Sequence, residues 1–318
     1  MRLRLSCVFA GVASVACAQL GSVAGPSAGY VFDPVARTVR QIRGIAGAAT
    51  MGDPVDFGVA ILTAEISPRG DLAIATAADG SLHFFKLAGG RATELSNLNA
   101  GAGTATAVFS PSGSAVALQR ADGIQVLRGI PDAPEMAFTA PVRTTMFQAS
   151  SSAVHIRVTS TAAIAVSDDG STVLRAGDGE IAVITSAGTR KLADARSNAS
   201  IVFAPGGRDA AINDGGTVTL FRDVTGAATR QDFPNIGAGS MAFSADGGKL
   251  LIAGLRAVTV LQHASGERKL ATCDCKIGGL ARMGSMFRMN EAGAGPLWLL
   301  DVSQDEPKLV FVPARPGA

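Results

Sequence analysis

Histidine, tryptophan and tyrosine are scarce in this chain: 318 residues hold 3 His, 1 Trp and 1 Tyr. His83, His155 and His263 are far apart, and none has a second His or a carboxylate at ligand spacing. A zinc site or a two-His facial triad is therefore unsupported, and the three histidines read as structural or surface residues. Cysteine is also rare. Of 4 Cys, Cys7 and Cys17 lie at the extreme N-terminus, which leaves Cys273 and Cys275. Two such cysteines exclude a disulfide scaffold, so stability must come from a core. No Walker loop and no Asp-x-Asp-x-Asp-Gly calcium loop occurs. Beyond residue 18 no run is long and apolar enough to span a bilayer as a helix.

An excess of charge is missing as well. Lys and Arg number 28 against 26 Asp and Glu. The first 18 residues carry two of the Arg, Arg2 and Arg4, and no acid, so the remainder balances at 26 against 26. A neutral chain has no electrostatic drive toward nucleic acid or an anionic membrane surface. Those 18 residues have the form of an address. Arg2 and Arg4 precede an apolar stretch from Leu5 to Val15, and Ala16-Cys-Ala18 supplies small residues before a cut. Cleavage is expected between Ala18 and Gln19, with lipidation of Cys17 as the alternative. The mature protein is then expected in the periplasm or outside the cell, with 19–28 as a short tail.

What the chain has in plenty is a phrase. An apolar run stops at a Ser-Pro-x-Gly turn and a second apolar run follows, as in Ala107-Val-Phe-Ser-Pro-Ser-Gly113. The phrase recurs at Ala64–Gly70, Ile164–Gly170, Ile201–Gly207 and Met241–Gly247. Pro presets a turn corner, Ser bonds locally to the backbone, and Gly tolerates positive φ. A second, tighter turn follows in each unit, as in Ala78-Asp-Gly80, Ala121-Asp-Gly123, Gly177-Asp-Gly179 and Asp214-Gly-Gly216. Matching turn residues are 43 (Ser67 to Ser110), 57 (Ser110 to Ser167), 37 (Ser167 to Ala204) and 40 (Ala204 to Ser244) apart. A period near 40 with four short strands per unit predicts the blades of a β-propeller. The longer gap predicts an insertion, placed at 142–158 around Gln148-Ala-Ser-Ser-Ser152.

Such a sheet has two apolar faces and cannot bury them alone. Radial stacking covers both. Small residues such as Ala105, Ala107, Ala162, Ala163 and Ala165 suit the crowded axis. Six units are clear between about 59 and 313. Tyr30–Asp33 and Thr38–Ile42 form two strands of an incomplete seventh, and Gly44–Gly58 reads as loop. The expectation is an all-β, seven-bladed propeller of four-stranded antiparallel blades around a channel, over 29–314. The alternative is six blades, with the N-terminal strands joining the C-terminal sheet.

The Ser-Pro-x-Gly turns and the Tyr30-Val-Phe-Asp33…Thr38-Val-Arg-Gln-Ile42 opening resemble bacterial YVTN-type and WD-repeat-like propellers. The Gly-His and Trp-Asp signatures of true WD repeats are absent. One Trp, Trp298, excludes the tryptophan-docked blades of quinoproteins. The resemblance implies the fold over about 30–313. Propellers of this kind serve as interaction scaffolds, lactonases and periplasmic partners, so it leaves the activity open. The leading expectation is a non-catalytic exported propeller, without cofactor or metal, binding a protein or glycan through rim or channel-mouth loops. The alternative is a channel-mouth hydrolase or lactonase drawing on Glu65, Asp79, Asp122, Asp178 and Asp214. The last four occupy equivalent tight turns, where Asp-Gly is turn chemistry first. A third reading is self-assembly.

Cys273-Asp-Cys275 is the least usual local feature. In an extended strand both sulfurs share a face, and the Cα separation nears the upper limit for a disulfide. The bland readings are a turn-stabilising bridge or idle thiols; the sharper one is a redox or soft-metal site. Met283, Met286 and Met289 lie close in sequence and offer thioethers to Cu(I). Strand alternation would set Met286 opposite Met283 and Met289, and core filling by Met is the commoner use.

Overall fold

The protein is described from a computed structural model covering residues 26–314, apart from 46, 97, 99–104, 121, 142–161, 197, 198 and 294. The expected leader and the expected insertion at 142–158 lie outside these residues. The described chain forms 27 strands in seven antiparallel sheets, one after another along the sequence. Six sheets have four strands. The first, blade 1, has three: β1 (Ser27–Asp33), β2 (Thr38–Ile45) and β3 (Ala48–Pro54). Blades 2 to 7 run over 61–94, 106–141, 163–194, 200–234, 241–272 and 281–312.

The sequence argument for radial stacking has a direct counterpart. Seven apolar clusters are buried, and each is shared by two neighbouring blades. Alternate residues of one strand serve different clusters. In blade 2, Leu72 and Ile74 pack toward blade 3, whereas Ala73 and Ala75 pack toward blade 1. Each sheet is thus greasy on both sides, as period-2 alternation requires when both faces are covered. The seventh cluster joins blade 7 to blade 1 through Met283, Met286, Leu297 and Leu299 against Val31, Ile42 and Ala49. The ring closes without any strand being shared between its two ends. The six-bladed alternative is therefore overturned, and the N-terminal strands form a blade of their own.

One reading of the sequence needs correction here. Gly44–Gly58 was expected as loop, yet Ala48–Pro54 is the third strand of blade 1. Its Ala, Gly and Pro are poor strand formers, but its register with β2 overrides that weak local preference.

The repeated serine has a clear structural task. Ser67, Ser110, Ser167 and Ser244 are buried. Each backbone N–H donates to the carbonyl five residues on, and each Oγ accepts the N–H of that same residue. Gly113 completes the turn by donating to the Ser110 carbonyl at φ +74°, where its missing Cβ also leaves room for Pro68 of blade 2. Blade 5 carries Ala204 in the serine's place and keeps the backbone bonds of the turn. The hydroxyl is thus an addition to the turn and not its cause. Ser110→Ala is expected to fold but to lose about 1–2 kcal/mol in urea denaturation, because the buried Ala115 N–H is left unpaired.

Candidate functional site

The innermost strand of each blade lines the axis, so charged residues on those strands are the first place to look for chemistry. There are three among the described residues: Asp33, Glu65 and Arg282. Asp33 is committed to structure. Its carboxylate accepts the N–H groups of Val35 and Ala36 and pairs with Arg40 at 3.1 Å. Glu65 and Arg282 remain, both near the mouth where the Ser-Pro-x-Gly turns converge.

That mouth is laced together across the ring. Arg282 of blade 7 donates from Nη1 to the Pro111 carbonyl of blade 3 at 2.9 Å and from Nε to the Gly284 carbonyl at 3.0 Å. The Gly284 N–H donates to the Pro68 carbonyl of blade 2 at 2.9 Å. Asp168 of blade 4 accepts the Ser112 N–H of blade 3 and the Gly206 N–H of blade 5. Burial pushes the Arg282 pKa down, and the field of the Asp168 carboxylate opposes that.

Beside this network a crevice of about 40 Å³ is lined by Tyr30, Glu65, Ser67, Arg282, Met283 and Arg288, among others. Solvent reaches Glu65, but the ring walls surround it. Burial raises its pKa above the ordinary carboxylate value; the Arg288 charge opposes the rise and Glu291 adds to it. The Arg288 Nη1 atom is buried without a hydrogen-bond partner, 3.7 Å from Glu291. A raised carboxyl between two arginines has the ingredients of a general acid. Volume decides against that use: 40 Å³ holds about one water molecule, whereas small-molecule sites run to about 300–1,000 Å³.

The other acids named from the sequence do not converge on the axis. Asp79, Asp178 and Asp214 sit in the hairpins between the second and third strands of their blades, away from the innermost strand. Asp79 accepts the N–H and Oγ–H of Ser81, Asp178 pairs with Arg175, and Asp214 accepts the Arg196 N–H. Asp122 follows the equivalent strand of blade 3, just ahead of Gly123–Arg128. Only Glu65 of the five is on a channel strand. No histidine joins it among the described residues: His83 contacts Ser81 and Glu94 on blade 2, and His263 contacts Arg222 and the Gly247 carbonyl. His155 lies outside the described residues. No three His, Cys, Asp or Glu among the described residues come together as metal ligands. A Gly-x-Ser-x-Gly elbow was not expected from the sequence, yet the spacing occurs once, at Gly25–Gly29. Ser27 there opens β1 and donates to the Ile42 carbonyl; no helix follows, so it lacks the strand–turn–helix setting of a nucleophile elbow.

The sulfur residues separate. Cys273 and Cys275 are joined, with Cα atoms 5.1 Å apart, in a bend beyond the strand Glu267–Thr272. The expected extended geometry is thus replaced by a bend, which brings the pair within ordinary disulfide reach. Met283 and Met286 face each other across a hairpin and pack toward blade 1. Met289 packs with Cys273 toward blade 6. The expected facing was wrong, because a turn at Gly284-Ser285 reverses the chain between Met283 and Met286. Blade 7 stands between the two groups, so the five sulfurs form no shared copper site. Ellman titration of protein beginning at Gln19 should find no free thiol, and two after reduction.

A second concavity is on the rim. A cleft of about 480 Å³ opens between blades 1 and 7, lined by Ala48, Ala49, Thr50, Leu309, Val310 and Phe311, with Gly47 and Pro313 at its margins. None of its lining residues is charged. Ile45 beside it is 61 % exposed and Phe311 51 % exposed. The sequence signal for it was faint: a seventh unit that read as incomplete, with two strands.

No protein-family model and no curated protein matches the chain. Among solved structures, it is similar to one described as the crystal structure of a functionally unknown protein from Desulfotomaculum acetoxidans DSM 771. The TM-score is 0.59 at 11% sequence identity, over 90% of this chain and 100% of that one. At that identity the likeness shows the fold alone.

Proposed function

We propose that this chain is an exported, YVTN-like propeller that works without catalysis, binding a protein or glycan through its rim or channel-mouth loops. The observation that carries the reading is the uncharged rim cleft, an order of magnitude larger than the crevice at Glu65. An uncharged concavity of this volume falls within the range of ligand sites. Three of the five acids of the alternative hydrolase, Asp79, Asp178 and Asp214, are engaged in hydrogen bonds at or near their hairpins, which favours binding over turnover. Export rests on the Arg2/Arg4, apolar and Ala16-Cys-Ala18 sequence.

Two measurements test this. N-terminal sequencing of protein recovered from the cell envelope should begin at Gln19. Immobilised mature protein should retain a stoichiometric partner from a native envelope extract; nothing above background would count against the binding reading.

The lone carboxyl gives an independent check on the channel. The folded chain holds the Glu65 proton more tightly than the unfolded chain does. Its contribution to stability is therefore complete below the unfolded carboxyl pKa and is lost as pH rises through the raised one. Glu65→Gln stays neutral and should flatten that descent in urea midpoints as pH rises above the ordinary carboxylate range. Parallel curves for the two proteins would remove Glu65 as the source.

A further inference from the structure

We propose that the open edge of blade 1, Ala48–Pro54, takes an extended peptide of a partner protein as its missing fourth strand. The proposal rests on the binding reading above and gives it a place and a partner chemistry. Six blades end in a fourth strand, and blade 1 stops at β3 with no described strand on its outer side. The backbone there is oriented to pair. The Gly44 N–H donates inward to the Pro26 carbonyl, and Gly44 lies opposite Ala49. Antiparallel alternation then turns the N–H and C=O groups of Ala49 and Met51 outward, and those of Thr50 toward β2. An unpaired row of this kind is a template for strand addition.

The sister blades show what fits. Their fourth strands are four to seven residues long and mostly polar, with an occasional apolar side chain turned inward. In Glu135–Pro141 of blade 3, Phe138 and Ala140, two apart, are buried. The cleft beside β3 is lined by the Phe311, Val310 and Leu309 strand of blade 7 and holds no charge. Phe138 and Ala140 pack toward blade 4, the following blade. A ligand on that pattern is an extended segment with apolar side chains at alternate positions facing blade 2 and no charge on the face turned to the blade 7 cleft.

Two other occupants fit less well. The seven residues 19–25 enter blade 1 at its innermost strand. Crossing to the fourth position spans three strand spacings, about 14 Å, and takes about four of the seven residues. About three remain to pair, fewer than any sister strand has. A second propeller fits poorly too. β3 is recessed by one strand between four-stranded neighbours, and two convex rims meet before a recessed edge is reached. A single extended segment enters freely.

The experiment joins the sequence of Glu135–Pro141 by a flexible linker to the N-terminus of the mature chain, which sets a millimolar effective concentration. The tethered strand should raise Tm by several degrees and slow hydrogen exchange at Ala49 and Met51 at least tenfold. Met51→Pro deletes an outward N–H that β2 does not use and should abolish both effects. Val310→Lys, which places a charge in the apolar cleft, is the second variant should the first fail to fold. Unchanged exchange at Ala49 and Met51 in the tethered protein overturns the proposal. So does protection already present in the mature chain, whether it disappears on dilution of a dimer or on deletion of residues 19–25. An envelope partner that binds wild type and Met51→Pro equally overturns the edge as the site and leaves the binding reading intact. A partner lost only from these variants supports both.

Discussion

Gly239→Ala is expected to cost about 3 kcal/mol or more, the largest effect of a methyl group added at any described glycine. Gly239 precedes the innermost strand of blade 6. A Cβ built on it would fall inside the van der Waals shell of the Ala253 carbonyl oxygen and 2.8 Å from its carbon. The obstruction is backbone, so no rotamer change relieves it. Nor is the segment free to move away. Ala253 donates its N–H to the Ser240 carbonyl at 2.9 Å, and Ser200 of blade 5 donates its hydroxyl to the Gly239 carbonyl at 2.8 Å. Shifting Gly239 therefore disturbs the pairing within blade 6 and its link to blade 5. Gly216 supplies the control, since its Cβ would meet nothing within 4 Å and its φ is not positive. Gly216→Ala should stay within about 0.5 kcal/mol of wild type. Urea midpoints of the two variants measure the contrast; equal midpoints would show that blade 6 can yield at this point.

That glycine also marks what a sequence shows and what it hides. Gly237-Ala-Gly239 looks like any other small-residue loop in a chain of 38 glycines. Its constraint comes from a carbonyl 14 residues away across a strand pair. The Ser-Pro-x-Gly turns were legible for the opposite reason: every bond that makes them lies within five residues, so local chemistry specifies them and their spacing specifies the blades. Glu65 could be singled out as an acid beside a turn, but its partner Arg288 is brought to it only by closure of the ring. The strand Ala48–Pro54 was misread because its residues form a strand only when β2 is present to pair with. The rim cleft is subtler still, since its signal is only an incomplete unit, and the residues facing that gap belong to the far end of the chain.

Closure of the ring supplies the second large effect. The seam between blades 7 and 1 has no exchanged strand, so it depends on side-chain burial, while the Gly284 to Pro68 bond ties blade 7 to blade 2 across it. Leu299 is 1% exposed within it. Leu299→Ala should lose about 3 kcal/mol, within the range for buried Leu truncation. Leu174 is fully buried between blades 4 and 5, and Leu174→Ala should lose a similar amount in global denaturation. The two differ in where the loss appears. Blades 4 and 5 are held by neighbours on both sides along a continuous chain, so opening their interface requires much of the ring to open. Blade 1 is joined to blade 7 only through space. Leu299→Ala should therefore lower hydrogen-exchange protection first at Tyr30–Asp33, below the global value, whereas Leu174→Ala should lower protection evenly. Even loss in both variants would mean that the seam opens only when the whole ring does, and that burial alone makes an unlatched propeller as cooperative as a latched one.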